Sequence, residues 1–564
     1  MKEKFKWLKK LLFLLTPYKK EMIAIFVLLL ICSGLNLLIP LVNKEILDKG
    51  FIEGNYNLLC ELVALVFVLQ LVSANCKCIT AKKRIYISNG IQFDLQEKAF
   101  LHIMKLENRY FVNKNTTELL GRIDTDIQYM KGIIDGGFFS IIIQCLTVIG
   151  GLIGLFMIDY RLTFCVLLFI PIKVVVVKHI MKQQEKQVGT FLRESSRFAG
   201  WFGDCVNGIR EVKLFQLIHY KKLEFDKFYK EMLESNRSMK MLNQYNQVID
   251  ESLMYFLMFL IYMIGGKLVM NHSLTLGSVI TFITYSGYVT GPITFFLNIG
   301  VDVSTSIPSV KRFYQFMEEA EEKEVNYEES VEIDSVETIA FQNVTFSYDK
   351  KCEEQNQADK VTFEVGKQSK VAIIGENGSG KSTIINLLLR FYTPDSGKIY
   401  INNIDISKLS LNAYRELFGV VSQQVYLFQD TIRNNICLFK QHSDEEIIDI
   451  LIQCGMGEFI EENGLDYIVG DNGSMLSGGQ KQKIALARAL ILNRPILVFD
   501  EATSNADVFT EEKILNMLKN ELKEKIVLIV THKREIIDKM DFVIMLKNGR
   551  INFKGNVREL RHKD

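Results

Sequence analysis

No charge of one sign dominates this chain of 564 residues: 67 Lys and Arg stand against 66 Asp and Glu. That balance excludes a nucleic-acid binder held by bulk positive charge. Histidine is scarce, at seven, so the position of each is informative. The ten cysteines include no pair at C-x-x-C spacing, and Cys76 and Cys78 are too close and too alone to form a metal site. Cys32, Cys145 and Cys165 lie in apolar runs and read as small buried hydrophobes. No small-x-small cleavage site follows the first apolar run, so that run is expected to be retained. No cysteine-protease domain precedes it, so leader-peptide processing is not expected.

What the chain does have is apolar sequence, 48% of it, spread unevenly. Nearly all the long apolar runs fall before residue 310. The length exceeds what one hydrophobic core serves, which predicts at least two domains. Crossing a bilayer takes about 20 apolar residues. Six stretches qualify, at roughly 22–41, 58–79, 138–158, 162–182, 250–270 and 276–298. The opening MKEKFKWLKKLLFLLTPYKK reads as a short basic amphipathic helix lying on the membrane surface. The segments 81–134 and 183–247 are long and rich in Lys and Arg, whereas the links at 42–57, 159–161 and 271–275 are short and carry little positive charge. Positive loops stay inside. The N-terminus, both long loops and the C-terminal half are therefore expected in the cytoplasm of a multi-pass plasma-membrane protein.

Both long loops read as helical. An arm of some 25 helical residues reaches roughly 40 Å at 1.5 Å per residue, and each loop would go out and return. Within the spans, Glu61 sits near an end, while Lys173 in FIPIKVVVVKHIM lies deeper. A cation there either serves function or snorkels along its own stem. Asn36, Gln70 and Gln144 can hold helices together. The stretch MEEAEEKEVNYEESVEIDSV turns acidic and loses all apolar periodicity, so 318–336 is expected to be a linker between a membrane domain (1–317) and a second domain (337–564).

The second domain carries the chemistry. Lys370–Ile374 reads as a strand, Gly375-Glu376-Asn377-Gly378-Ser379-Gly380-Lys381-Ser382-Thr383 as a glycine-rich loop, and the residues from Ser382 onward as a helix. The spacing matches the P-loop pattern in its required strand–loop–helix setting. Glycines let backbone N–H groups converge on phosphate oxygens, and the helix N-terminus adds partial positive charge. Lys381 would meet the terminal phosphates and Ser382 would ligate Mg²⁺, which makes ATP the expected nucleotide. In PILVFDEATS, Asp500 ends a buried strand where it can reach the metal, and Glu501 beside it either polarises a water or is merely a second acid. KIVLIVTHK is a further strand, and its His532 stands at the strand–loop junction.

At this point the chain resembles the ABC transporters of the exporter type, as a half-unit with one membrane domain fused to one ATPase domain. The resemblance implies an all-α six-helix membrane domain with long cytoplasmic helical extensions, followed by an α/β P-loop ATPase. FQNVTFSYD is similar to the family's adenine-stacking segment, which carries that role onto Tyr348. VVSQQVYLF is similar to the loop whose glutamine contacts metal and senses the membrane domain, which carries those roles onto Gln423. LSGGQ is the family signature, placing Ser477, Gly478, Gly479 and Gln480 over the γ-phosphate on the partner subunit's P-loop. The resemblance makes Asp500 a metal ligand, Glu501 the catalytic carboxylate and His532 the γ-phosphate contact. RYFVNKNTTELLGRIDTDI and RFAGWFGDCVNGIREVKLF resemble the two coupling helices and their approaches. One departure is Ser504-Asn505-Ala506-Asp507, where the family usually has Ser-Ala-Leu-Asp; another is the polar DKKCEEQNQADK after Tyr348.

The function this implies is ATP-driven export of an amphipathic small molecule, peptide or lipid by alternating access. A membrane ATPase that senses without transporting, and an importer on the same fold, stay open. The expected partners are the bilayer, a second half-transporter (a homodimer favoured, a heterodimer open) and the substrate, with no nucleic acid.

Overall fold

The computed structural model describes residues 2–112, 116–324, 333, 335–348, 357–501 and 522–560. The segment after Glu501 that contains Ser504–Asp507, and Asp349–Asn356 after Tyr348, lie outside the described residues. The chain forms two compact units, one of Met1–Met104 with Asn115–Glu319 and one of Lys105–Lys114 with Ala320–Asp564.

The first unit is helical. It contains α1 (Lys2–Phe13), α2 (Lys19–Glu45), α3 (Tyr56–Lys105), α4 (Thr116–Gly132), α5 (Phe139–Ile158), α6 (Tyr160–Asn207), α7 (Ile209–Leu214), α8 (Ile218–Met270) and α9 (Leu276–Phe316). Six helical stretches among the described residues are long and apolar enough to cross a membrane. They run Thr16–Ile52, Tyr56–Lys105, Leu119–Ile158, Tyr160–Asn207, Ile218–Met270 and Leu276–Gly300. Helices of 48 to 53 residues, as in α6 and α8, exceed any bilayer thickness by more than half and supply the long extensions expected of the two basic loops. On α1, Trp7 and Leu11 are buried while Leu12 and Phe13 are exposed, the pattern of an amphipathic helix. Trp7 packs 5.8 Å from Tyr314 of α9, and Lys10 lies over both rings.

Close helix packing rests on small residues. A methyl group on Gly151 would stand 2.9 Å from the Val289 side chain, and one on Gly154 would stand 2.7 Å from the Tyr285 ring, so α5 and α9 meet only because α5 is bare there. Lys173 does not snorkel. It is fully buried on α6, 2.8 Å from the Asp250 carboxylate of α8, and donates at 3.0 Å to the Thr290 carbonyl of α9. Thr294 of α9 donates to the same carboxylate at 2.9 Å. Three helices share one neutralised charge.

The second unit is α/β. Among the described residues, β1 (Thr338–Phe346), β2 (Ala358–Gly366), β4 (Ser396–Ile401) and β5 (Ile404–Asp405) form an antiparallel sheet ordered β2-β1-β4-β5. The larger sheet is built from β3 (Lys370–Gly375), β6 (Phe418–Val421), β7 (Ile496–Asp500), β8 (Ile526–Val530), β9 (Phe542–Lys547) and β10 (Arg550–Asn556), in the order β10-β9-β3-β8-β7-β6. Strands β9, β3, β8, β7 and β6 run parallel, and their apolar sequences are buried on both faces, as such strands require. The first residues past α9 are not a bare spacer. Glu107 N–H donates to Ala320 O and Glu322 N–H to Lys105 O, while the Arg415 guanidinium grips the Glu322 carboxylate at 2.7 and 2.8 Å.

Candidate active site

The strand order decides the site. In a parallel sheet every carboxyl end lies on one edge, and ligands bind there. Strand β3 ends in the P-loop, β8 runs on to His532, β7 ends in Asp500 and Glu501, and β6 leads to Gln423. Four segments spread along the sequence between Lys370 and His532 therefore open side by side.

Two glycines of the loop are required by contact. Gly375 has φ +149°, and a Cβ on it would sit 2.3 Å from Leu546 O. Gly380 has φ +103°, and a Cβ there would sit 2.2 Å from Gln357 O. No other residue type fits either place. Gly380 caps the helix Lys381–Leu388, whose first N–H groups face the loop. Lys381 is buried, and its ammonium donates to Gly375 O at 2.8 Å and to Glu376 O at 3.0 Å. Among the described residues no acid lies within ion-pair distance of it. The buried Ser379 hydroxyl has no hydrogen-bond partner.

Asp500 lies beside Ser382, whose hydroxyl hydrogen-bonds to it. Burial pushes its carboxyl above the usual range, and the neighbouring Glu501 adds to the rise, while the Ser382 bond and the Lys381 charge oppose it. Its Oδ1 is buried with no partner. An orphaned carboxylate oxygen on a side chain that also meets the Ser382 hydroxyl fits Mg²⁺, a hard cation that takes oxygen ligands. Glu501 has φ +49°, an uncommon backbone for a residue with a side chain, and its N–H is held by Val530 O at 3.1 Å. Gln423 Nε2 donates to its carboxylate at 2.6 Å, and His532 Nε2 stands 3.9 Å from the other oxygen. The structure thus brings Gln423, Glu501 and His532 together around one carboxylate that can take a proton from a water.

Tyr348 closes the other side. Its ring meets Phe346 and Tyr392 edge-on, each at 5.0 Å, and its hydroxyl lies 3.4 Å from Thr383 Oγ1 and 3.5 Å from Asn386 Nδ2. Arg109, from the segment that joins the second unit, donates to the Tyr348 carbonyl. The sequence marked Arg109 as the first residue of the stretch that resembles the first coupling helix and its approach, but not as a neighbour of Tyr348, because only chain folding joins positions so far apart.

Ser477–Gln480 behaves differently. Ser477 caps the helix Gly478–Ile491 with a reciprocal box: Gln480 N–H donates to its hydroxyl at 3.2 Å, and Ser477 N–H donates to Gln480 Oε1 at 2.8 Å. The hydroxyl proton stays free to donate. A methyl on Gly478 or Gly479 would meet nothing within 4 Å, so this chain's own packing does not demand glycine at either. Among the described residues no hydrogen bond joins this segment to the P-loop.

Residues 22–293 match the ABC transporter transmembrane region and residues 358–504 match the ABC transporter family's ATPase region. The chain belongs to the ABC transporters, as a half-unit of the exporter type. It is 28% identical to the uncharacterized ABC transporter ATP-binding protein YknV of Bacillus subtilis over 99% of this chain and 93% of that one. It is also 28% identical to the ATP-dependent lipid A-core flippase 1 of Colwellia psychrerythraea, over 98% of this chain and 94% of that one. A bacterial Atm1-family ABC exporter solved with ATP bound shares the fold, with a TM-score of 0.85, 22% identity and 97% of each chain covered. This half-unit is accordingly a multi-pass membrane protein whose ATPase is coupled to transport.

Proposed function

We propose that two copies of this chain form a homodimeric exporter that moves an amphipathic substrate out of the cytoplasm by alternating access. The observation that supports it best is the pair of uncompensated groups at one sheet edge. Among the described residues Lys381 is a buried cation held by carbonyls and by no acid, and Asp500 is a half-buried acid whose buried Oδ1 has no partner. Lys381, the loop N–H groups and the start of helix Lys381–Leu388 would hold the phosphates of ATP, with Tyr348 against the base. Ser382, Asp500 and Gln423 would hold Mg²⁺, which supplies charge neutralisation on the phosphate oxygens. Glu501, aligned by Gln423 and His532, would accept the proton of the attacking water. The open face of Gly478 and Gly479, and the free Ser477 proton at a helix N-terminus, suit a phosphate brought by the second copy. Binding of ATP shifts the spans only insofar as the closed pair binds it better.

The basic loops support placement of the N-terminus and the ATPase unit on the cytoplasmic side. The decisive experiment is ATP-dependent uptake into inside-out vesicles carrying the purified protein. Accumulation of a fluorescent lipid or an amphipathic dye, lost in Glu501→Gln, supports export. ATP turnover with no accumulation of lipid, peptide or dye would instead fit a sensor.

A further inference from the structure

We propose that a cavity between α2, α3 and α5 binds the anionic headgroup of a lipid-like amphiphile; this rests on the exporter reading and names a substrate class for it. The cavity has a volume of about 210 Å³ and is lined by Ser33 and Asn36 of α2, Lys77, Thr80 and Arg84 of α3, and Thr147 of α5, with apolar side chains completing the wall. No acid lines it. A recess of that size admits a phosphodiester or a carboxylate but not a whole lipid.

The donors decide the ligand. Thr80 and Thr147 spend their hydroxyl protons on their own helices, donating to Cys76 O and Ile143 O at 2.8 Å. Arg84 is already engaged with Asp135, through the backbone carbonyl and through the carboxylate at 3.4 Å, and its face lies over the Phe139 ring. Its buried Nε has no partner. Lys77, Ser33 and Asn36 make no hydrogen bond or ion pair among the described residues. Among the described residues the cavity therefore holds one cation with no ion-pair partner, an orphaned guanidinium N–H and two further polar groups without a hydrogen bond. Lys77 is exposed, so its charge is open to a ligand. A polar, net-positive recess between spans is the kind of site that takes lipid headgroups. Lys77 lies near the end of the apolar run 58–79, where the sequence passes into the long basic loop. Ile31 and Ile79, exposed on the same helices, offer apolar surface for a tail.

The test uses the full-length protein in lipid discs of phosphatidylcholine containing a minority of phosphatidylglycerol, with bound lipid counted by native mass spectrometry. The wild type should retain phosphatidylglycerol about tenfold over phosphatidylcholine, the scale of one charge-assisted contact. Lys77→Gln should lose that preference and Lys77→Arg should keep it. Lys82→Gln, which removes an exposed lysine outside the cavity, should also keep it. Equal retention by Lys77→Gln and wild type overturns the site, and so does an equal loss in Lys82→Gln, which would reduce the effect to general surface charge. Displacement of the lipid by inorganic phosphate at the same concentration overturns the amphiphile in favour of a small free anion. Should Lys77→Gln fold poorly, Asn36→Leu removes a polar group from the same cavity and is read the same way. ATP turnover in the same discs reports on the exporter reading alone: turnover without lipid preference sinks only the site, and lipid preference without turnover sinks only the exporter reading.

Discussion

Two buried lysines, one in each unit, do opposite things. Lys173 is fully buried among spans and saturated, with the Asp250 carboxylate at 2.8 Å and the Thr290 carbonyl at 3.0 Å. Lys381 is nearly as buried, but among the described residues it leans on two loop carbonyls, at 2.8 and 3.0 Å, and on no acid. Burying a charge is costly unless it is paired. The membrane unit meets that cost with an acid from its own chain, which spends the charge on holding three helices together. The ATPase unit offers no acid at ion-pair distance among its described residues, which suits the phosphate contact proposed for Lys381. A buried cation is therefore read by what balances it, not by how deep it lies.

The sharpest break of this contrast is Glu501→Gln. Turnover should fall on the order of 10²–10⁴-fold, the range for loss of a general base, while ATP binding persists, because the amide keeps the shape and the bond from Gln423 but takes no proton. Phosphate release in lipid discs measures it, and near-wild-type turnover would remove Glu501 from the catalytic role. Next comes Lys173→Met. Stranding Asp250 should cost about 3–5 kcal/mol, as for other broken buried pairs, and the double change Lys173→Met with Asp250→Leu should recover most of it. Thermal melts of the two variants test this; a double variant no more stable than the single one would mean the pair is not the unit of stability. Lys381→Ala should weaken ATP binding by about 1.5–3 kcal/mol, the scale of hydrogen bonds to charged groups, with the melting temperature without nucleotide little changed. Unaltered nucleotide affinity would refute the reading of its free charge.

Tyr348→Ala should raise the ATP requirement by roughly 1–3 kcal/mol if its face stacks on the base, and Tyr348→Phe should be nearly silent. A damaging Phe variant, read from the ATP dependence of turnover, would point to the hydroxyl near Thr383. The smallest expected effect concerns Asp500. Its carboxyl is raised by burial, so the folded chain holds that proton more tightly than the unfolded one. The stability it contributes is present below the ordinary carboxylate range and is lost as pH rises through the raised value. At neutral pH without nucleotide the ionised group is a liability. Asp500→Asn should then melt slightly higher than wild type without Mg²⁺, and should lose the further rise that Mg²⁺ with ATP gives the wild type. Melts at neutral pH with and without Mg²⁺ check both signs.

Much was legible in the sequence because much of it is local. The P-loop is nine consecutive residues whose glycine spacing reports a backbone shape, and a span reports itself as an uninterrupted apolar run, since the bilayer is a solvent that each segment meets on its own. The six-helix membrane domain and the α/β ATPase followed from such local signals. What the sequence left open was every pairing across distance. Lys173 looked equally able to snorkel until α8 brought Asp250 to it. Arg109 carried no sign of lying at the Tyr348 carbonyl. Lys77, Ser33 and Asn36 were separate polar residues until three helices enclosed them. Gln423, Glu501 and His532 became one cluster only because strands β6, β7 and β8 lie next to one another in a parallel sheet. Composition and spacing determined which segments are long and apolar enough to cross a membrane and which segment carries the glycine pattern of a phosphate loop; the tertiary structure alone decided which charges are neutralised and which are left over, because a charge is balanced through space and not along the chain.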